Sequence, residues 1–83
     1  MNRDEILARV ADAMTDLFDL ERELVRADAR LREDLDLDSL DAVDLAAELQ
    51  RITGRRLEDK DLRRIRTVGD IVDVVARDLA ATR

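Results

Sequence analysis

Leu35-Asp36-Leu37-Asp38-Ser39-Leu40-Asp41-Ala42-Val43-Asp44-Leu45 is the stretch that decides the fold of this chain. Its first half alternates leucine with aspartate, but both are poor strand formers, so the alternation does not argue for a strand. From Ser39 onward the spacing becomes helical. Leu45, Leu49 and Ile52, with Ala42 and Ala46 beside them, share one face of a helix running from Ser39 to about Thr53. Asp38 is placed to cap that helix, Asp41 stands in the box position, and Gly54 is suited to end it.

Working outward, the same period reappears on both sides. Ile6, Leu7, Val10, Met14, Leu17 and Phe18 form a stripe on a helix from about Arg3 to Phe18, opened by an Asn2–Glu5 capping box. Asp4 and Glu5 lie at the positive end of its dipole. Between Asp19 and Asp38 the period fails, and Leu20, Leu24, Val25, Leu31, Leu35 and Leu37 are scattered among charges. That pattern predicts a long loop with room for one short helical turn, pinned to the core by its apolar residues. After Gly54, Leu57 tucks in, a short helix spans about Asp59 to Arg64 with Leu62 and then Ile65, and Thr67 caps a last helix reaching about Ala80. Val68, Ile71, Val72, Val75 and Leu79 form its stripe, with Asp70 in the box position. The expected architecture is all-α: a four-helix bundle with a long first loop and a short third helix, as one domain over residues 1–83.

Composition removes several classes of function. The chain has no cysteine, histidine, tyrosine or tryptophan, hence no disulfide, no thiolate or imidazole metal ligand and few rings to stack on bases. A net charge of −6 repels phosphate backbones and suits partners with basic patches. No apolar run approaches the roughly 20 residues of a membrane span. The charged N-terminal residues lack the apolar core of a signal peptide, so a cytoplasmic monomer is expected. Asp34-x-Asp36-x-Asp38 has the opening of a calcium loop, but Ser39 and Leu45 occupy the positions that need glycine and glutamate, so no metal site is assigned. No carboxylate pair is set up for acid–base work, and no catalytic residue is assigned.

Ser39 is the residue left with chemistry to explain. Serine at a helix start is usually a cap. Its hydroxyl also stands where backbone amides and the helix dipole favour a phosphate, although Asp38 and Asp41 partly oppose one. Here the chain resembles the acyl carrier proteins. The Leu35–Leu45 segment is similar to their phosphopantetheine attachment segment, and the likeness continues through Gly54, Leu57 and Ile65-Arg66-Thr67-Val68-Gly69-Asp70. The resemblance implies that a phosphopantetheinyl transferase attaches a 4′-phosphopantetheine arm to Ser39. It also implies that the arm carries acyl groups as thioesters to a ketosynthase, an acyltransferase and other acyl-processing enzymes, and that the chain itself is not an enzyme. Three positions depart from the family pattern: Asp36 stands at a frequent glycine, Thr53 at a common aromatic and Glu58 at a usual proline.

Charge is segregated along the chain. Glu33, Asp34, Asp36, Asp38, Asp41, Asp44 and Glu48 occur with no base among them. Arg51, Arg55, Arg56, Lys60, Arg63, Arg64 and Arg66 then follow with only Glu58, Asp59 and Asp61 between them. For any one of these residues a solvated surface is the simplest account. Taken together, Asp38, Leu40, Asp41, Val43, Asp44 and Glu48 are expected to bind partner enzymes. Arg51, Arg55, Arg56, Lys60, Arg63 and Arg64 are expected to select among them, favouring a specialised polyketide or aryl-polyene type pathway over bulk fatty acid synthesis. Ala42, Ala46 and Ala47 read first as good helix formers, and secondarily as room for cargo. A peptidyl carrier and an unmodified helical adaptor are the competing functions.

Overall fold

Asn2 opens helix α1 (Arg3–Phe18): its side-chain oxygen accepts the Glu5 amide at 2.8 Å, and the Glu5 carboxylate accepts the Asn2 amide. The structure, a computed structural model, describes residues 1–81. Helix α2 (Ser39–Thr53) follows the long loop, then the six-residue α3 (Asp59–Arg64), then α4 (Val68–Ala81). The expected four-helix, all-α architecture is what forms. Within the loop one 3-10 turn forms at Arg22–Leu24.

Burial follows the helical stripes. Ile6, Val10, Ala11 and Met14 of α1, Leu45 and Leu49 of α2, and Val68, Ile71, Val72 and Val75 of α4 build one apolar core. Helix α1 packs chiefly against α4, with α2 closing the third side. Two apolar residues of the sequence reading do not join it: Leu17 and Leu24 are exposed. Leu17, three residues after Met14, keeps the spacing of the stripe but lies in the last turn of α1, at the edge of the core.

The loop is sewn onto the start of α4 by backbone hydrogen bonds. Leu31 N–H donates to Arg66 C=O at 2.9 Å, Val68 N–H to Ala29 C=O at 3.0 Å, and Gly69 N–H to Ala27 C=O at 2.7 Å. The isolated antiparallel bridge between Arg30 and Thr67 belongs to the same seam. Val25, Ala29 and Leu35 anchor it in the core. The close approach explains Gly69, since a Cβ there would stand 3.0 Å from the Ala27 carbonyl oxygen. Asp36 takes a left-handed backbone, φ 56°. That is the conformation glycine adopts freely and aspartate tolerates better than most residues, which accounts for the glycine of the family pattern at this position.

The helix ends are chemically closed. Gly54, φ 74°, terminates α2 and donates its N–H to Gln50 C=O at 2.7 Å. Thr53, standing where the family pattern has an aromatic, is buried; its hydroxyl meets Leu49 C=O at 3.1 Å and the Arg55 amide at 3.1 Å. It therefore ties down the turn that an aromatic would fill by bulk. Thr67 and Asp70 form the expected box, each side chain accepting the other's amide at 3.1 Å.

Two aspartates are buried, which the sequence does not announce. Asp61 of α3 receives both ends of the Arg77 guanidinium, at 2.9 and 3.0 Å, and Asp78 accepts from Arg77 at 2.9 Å. Arg55 approaches Asp78 at 4.0 Å. The guanidinium beside Asp61 holds its carboxyl below the ordinary aspartate range, and the same bonds raise Arg77. This ion pair ties the short α3 to α4.

Candidate functional site

Ser39 is the first residue of α2, and Asp38, not Ser39, is its cap. One Asp38 carboxylate oxygen accepts the amides of Leu40 at 2.9 Å and Asp41 at 3.0 Å, and Asp41 returns the bond by accepting the Asp38 amide at 3.0 Å. The expected capping box is thus complete without the serine. The Ser39 hydroxyl is exposed and makes no hydrogen bond to the described residues. This arrangement also corrects the expectation that open backbone amides await a phosphate there. Asp38 already occupies two of the three in the first turn, leaving only the amide of Ser39 itself, because a carboxylate at the cap outcompetes water for those donors.

Ser39 opens onto a cavity of about 640 Å³. Leu31, Leu37, Ala42, Leu45, Leu62 and Ile65 supply its apolar wall, contributed by the loop, by α2 and by the α3 region. Arg30, Arg32 and Arg66, with Glu33 and Asp38, stand around its opening. Of the three small residues that could leave room for cargo, Ala42 lines the cavity, whereas Ala46 and Ala47 do not. The residues present therefore fit a flexible arm rooted at Ser39: a free hydroxyl, an apolar groove beside it and cations at the rim.

The surface around Ser39 combines apolar and acidic groups. Leu40 is 75% and Val43 64% exposed, an unusual setting for large apolar side chains on a helix whose other face is buried. Asp38 and Asp44 are exposed beside them, while Asp41 and Glu48 are half-buried. The basic residues divide into two groups. Arg51 pairs with Glu48 at 3.5 Å, Lys60 with Glu58 at 3.3 Å, and Arg55 leans on Asp78. Arg56, Arg63 and Arg64 are exposed and have no ion-pair partner among the described residues. Sequence reasoning did not mark Arg30 and Arg32 as cavity residues. Their only signal was proximity to the acidic segment, and the seam that brings Arg66 alongside is a tertiary feature.

Comparison with known proteins agrees with this geometry. Residues 8–75 match the family described as "Phosphopantetheine attachment site". "Acyl carrier protein 2" of Ralstonia nicotianae is 44% identical over 81 residues, covering 98% of this chain and 100% of that protein. The "Acyl carrier protein" of Thermotoga maritima is 36% identical over 78 residues, covering 94% and 96% respectively. Among solved structures, a crystal structure of an acyl carrier protein from Thermotoga maritima superposes with a TM-score of 0.85 at 26% identity, covering 100% of this chain and 96% of that one. The acyl carrier protein of Enterococcus faecalis gives 0.75 at 32% identity, covering 94% and 99%. With a family match over most of its length and relatives aligned nearly end to end, this chain belongs to the acyl carrier proteins, and its cofactor is a covalently bound phosphopantetheine.

Proposed function

We propose that Ser39 Oγ is the attachment atom, and that residues 1–83 act as one non-catalytic carrier domain for acyl thioesters. The observation that carries this reading is the division of labour at the start of α2: Asp38 caps the helix, so the Ser39 hydroxyl is exposed and unengaged at the mouth of an apolar cavity. In the loading step a phosphopantetheinyl transferase takes the Ser39 proton, Oγ bonds to the arm's phosphorus, and the adenosine bisphosphate half of coenzyme A leaves. The arm's thiol supplies the thioester chemistry; the protein's residues root it and present it. Intact mass after incubation with coenzyme A and a broad-specificity transferase tests this. One arm on wild type and none on Ser39→Ala is expected, and an arm of equal yield on Ser39→Ala would overturn it.

The same geometry supports a partner surface on α2. Leu40 and Val43, ringed by Asp38, Asp41, Asp44 and Glu48, offer a small apolar contact within a negative field, suited to the basic grooves of the transferase, a ketosynthase or an acyltransferase. The basic block Arg51, Arg55, Arg56, Lys60, Arg63 and Arg64 would turn away enzymes built for an evenly acidic carrier, placing this protein in a specialised pathway and not in bulk fatty acid synthesis. Arg56, Arg63 and Arg64 are the members free to do so. Changing these three to glutamate should increase acylation by fatty acid synthesis enzymes relative to the wild type, and an unchanged preference would remove the selection role.

A further inference from the structure

Arg32 and Arg66 are exposed at the rim of the cavity that Ser39 shares; neither guanidinium makes a hydrogen bond or a close ion pair among the described residues, and Arg66 has Asp70 as its nearby acid. Arg30, the third base of the rim, is engaged by Asp34 at 3.5 Å and lies 4.0 Å from Glu33. These two arginines, neither held by a close ion pair, come from segments far apart in sequence. The Leu31 N–H to Arg66 C=O bond, at 2.9 Å, joins the segments that carry them.

A phosphodiester on Ser39 Oγ is an anion placed by covalent bonds at this rim. The helix gives it little support, because Asp38 holds the amides of Leu40 and Asp41 and adds its own negative charge. Guanidinium groups are the complementary donors: planar, always charged and able to meet two phosphate oxygens at once. We propose that Arg32 and Arg66 bind the phosphodiester that joins the arm to Ser39, replacing the amides that Asp38 has taken and laying the root of the arm against the cavity. This inference rests on Ser39 being the attachment point.

Phosphorus NMR of the holo protein tests it, with intact mass first establishing that the arm is present. Arg32→Gln, Arg66→Gln and the double variant are compared with wild type. Arg56→Gln, exposed and outside the cavity lining, serves as control. The phosphodiester resonance should move part of the way in each single variant and furthest in the double one, and stay in place in the control. Raising salt to about 1 M should move the wild-type resonance toward that of the double variant, since screening weakens an exposed ion pair. The arginine Nε–H signals of residues 32 and 66 should shift on converting apo protein to holo protein. An arm that is attached but whose resonance no substitution moves overturns the clamp and leaves the attachment point standing. Absence of any arm overturns the attachment point and the clamp with it.

Discussion

Helices α1 and α3 are held in place by different physics. Helix α1 presents Ile6, Val10, Ala11 and Met14 to the core, all nearly inaccessible, and its grip on α4 is chiefly apolar, with one exposed ion pair, Arg3 to Asp73, at its start. Helix α3 is six residues long, with Leu62 only half-buried, and its most buried side chain is a charged one, Asp61. A short helix cannot bury a full stripe, so a bidentate ion pair to Arg77 supplies the attachment that apolar area does not. Leu62 and Ile65, which line the cavity that Ser39 opens onto, therefore sit on and just after the element with the weakest apolar anchoring.

The comparison breaks most severely on the α1 side. Met14→Ala removes a fully buried side chain from the centre of the core. A loss of about 2–5 kcal/mol is expected. For a domain this small that is a large share of the total stability. Urea unfolding followed by circular dichroism should show the midpoint fall for the whole molecule, because α1, α2 and α4 share one core.

On the α3 side the effect is smaller and local. Asp61→Asn keeps the shape and removes the charge, and the half-exposed Arg77 can turn to water and to Asp78. A loss of about 1–2 kcal/mol is expected, discounted for that exposure. Amide hydrogen exchange should quicken in Asp59–Arg64 while the protection of α1 stays within twofold. The pH dependence follows from the sign of the shift. Arg77 lowers the Asp61 pKa in the folded state below its reference value of 3.8. The contribution is thus fully present above that value and is lost as pH falls through the lower, folded one. The stability gap between wild type and Asp61→Asn should be constant from pH 7 to about pH 5 and close below about pH 4. A gap that stayed open in acid would show that the charge is not what fastens α3.

The contrast also explains what the sequence could show. The three longer helices were legible because each buries a stripe, and stripes are periodic. Asp38, Asp41, Thr67 and Asp70 were legible because caps act over three residues. The ion pair was not, since Asp61 and Arg77 are sixteen residues apart and each looks like one more surface charge. The seam from Ala27 to Gly69 was hidden for the same reason, as it consists of backbone groups whose side chains carry no pattern. At the site, the serine and its acidic neighbours could be read in order along the chain, whereas the rim arginines meet only in three dimensions. Asp36 lies between these cases: its departure from the family glycine was visible, its left-handed backbone was not. Asp36→Ala should cost about 1 kcal/mol in the same urea experiment, because alanine enters the left-handed region less readily than aspartate.

The outer face of α3 should prove the least important for folding. Arg63 and Arg64 are exposed, make no ion pair among the described residues and lie in the last turn of α3, where a positive charge complements the helix dipole. Replacing both by glutamate reverses that dipole term but removes no buried contact. Stability should change by no more than about 0.5 kcal/mol. That small effect gives the pair its diagnostic value. A variant that unfolds at nearly the wild-type urea concentration, yet exchanges acyl groups with a different set of enzymes, separates the surface of α3 from its anchoring. If the substitution instead lowered the midpoint as far as Asp61→Asn, the outer face would be holding the helix in place, and the assignment of α3's attachment to Asp61 and Arg77 would have to be shared with it.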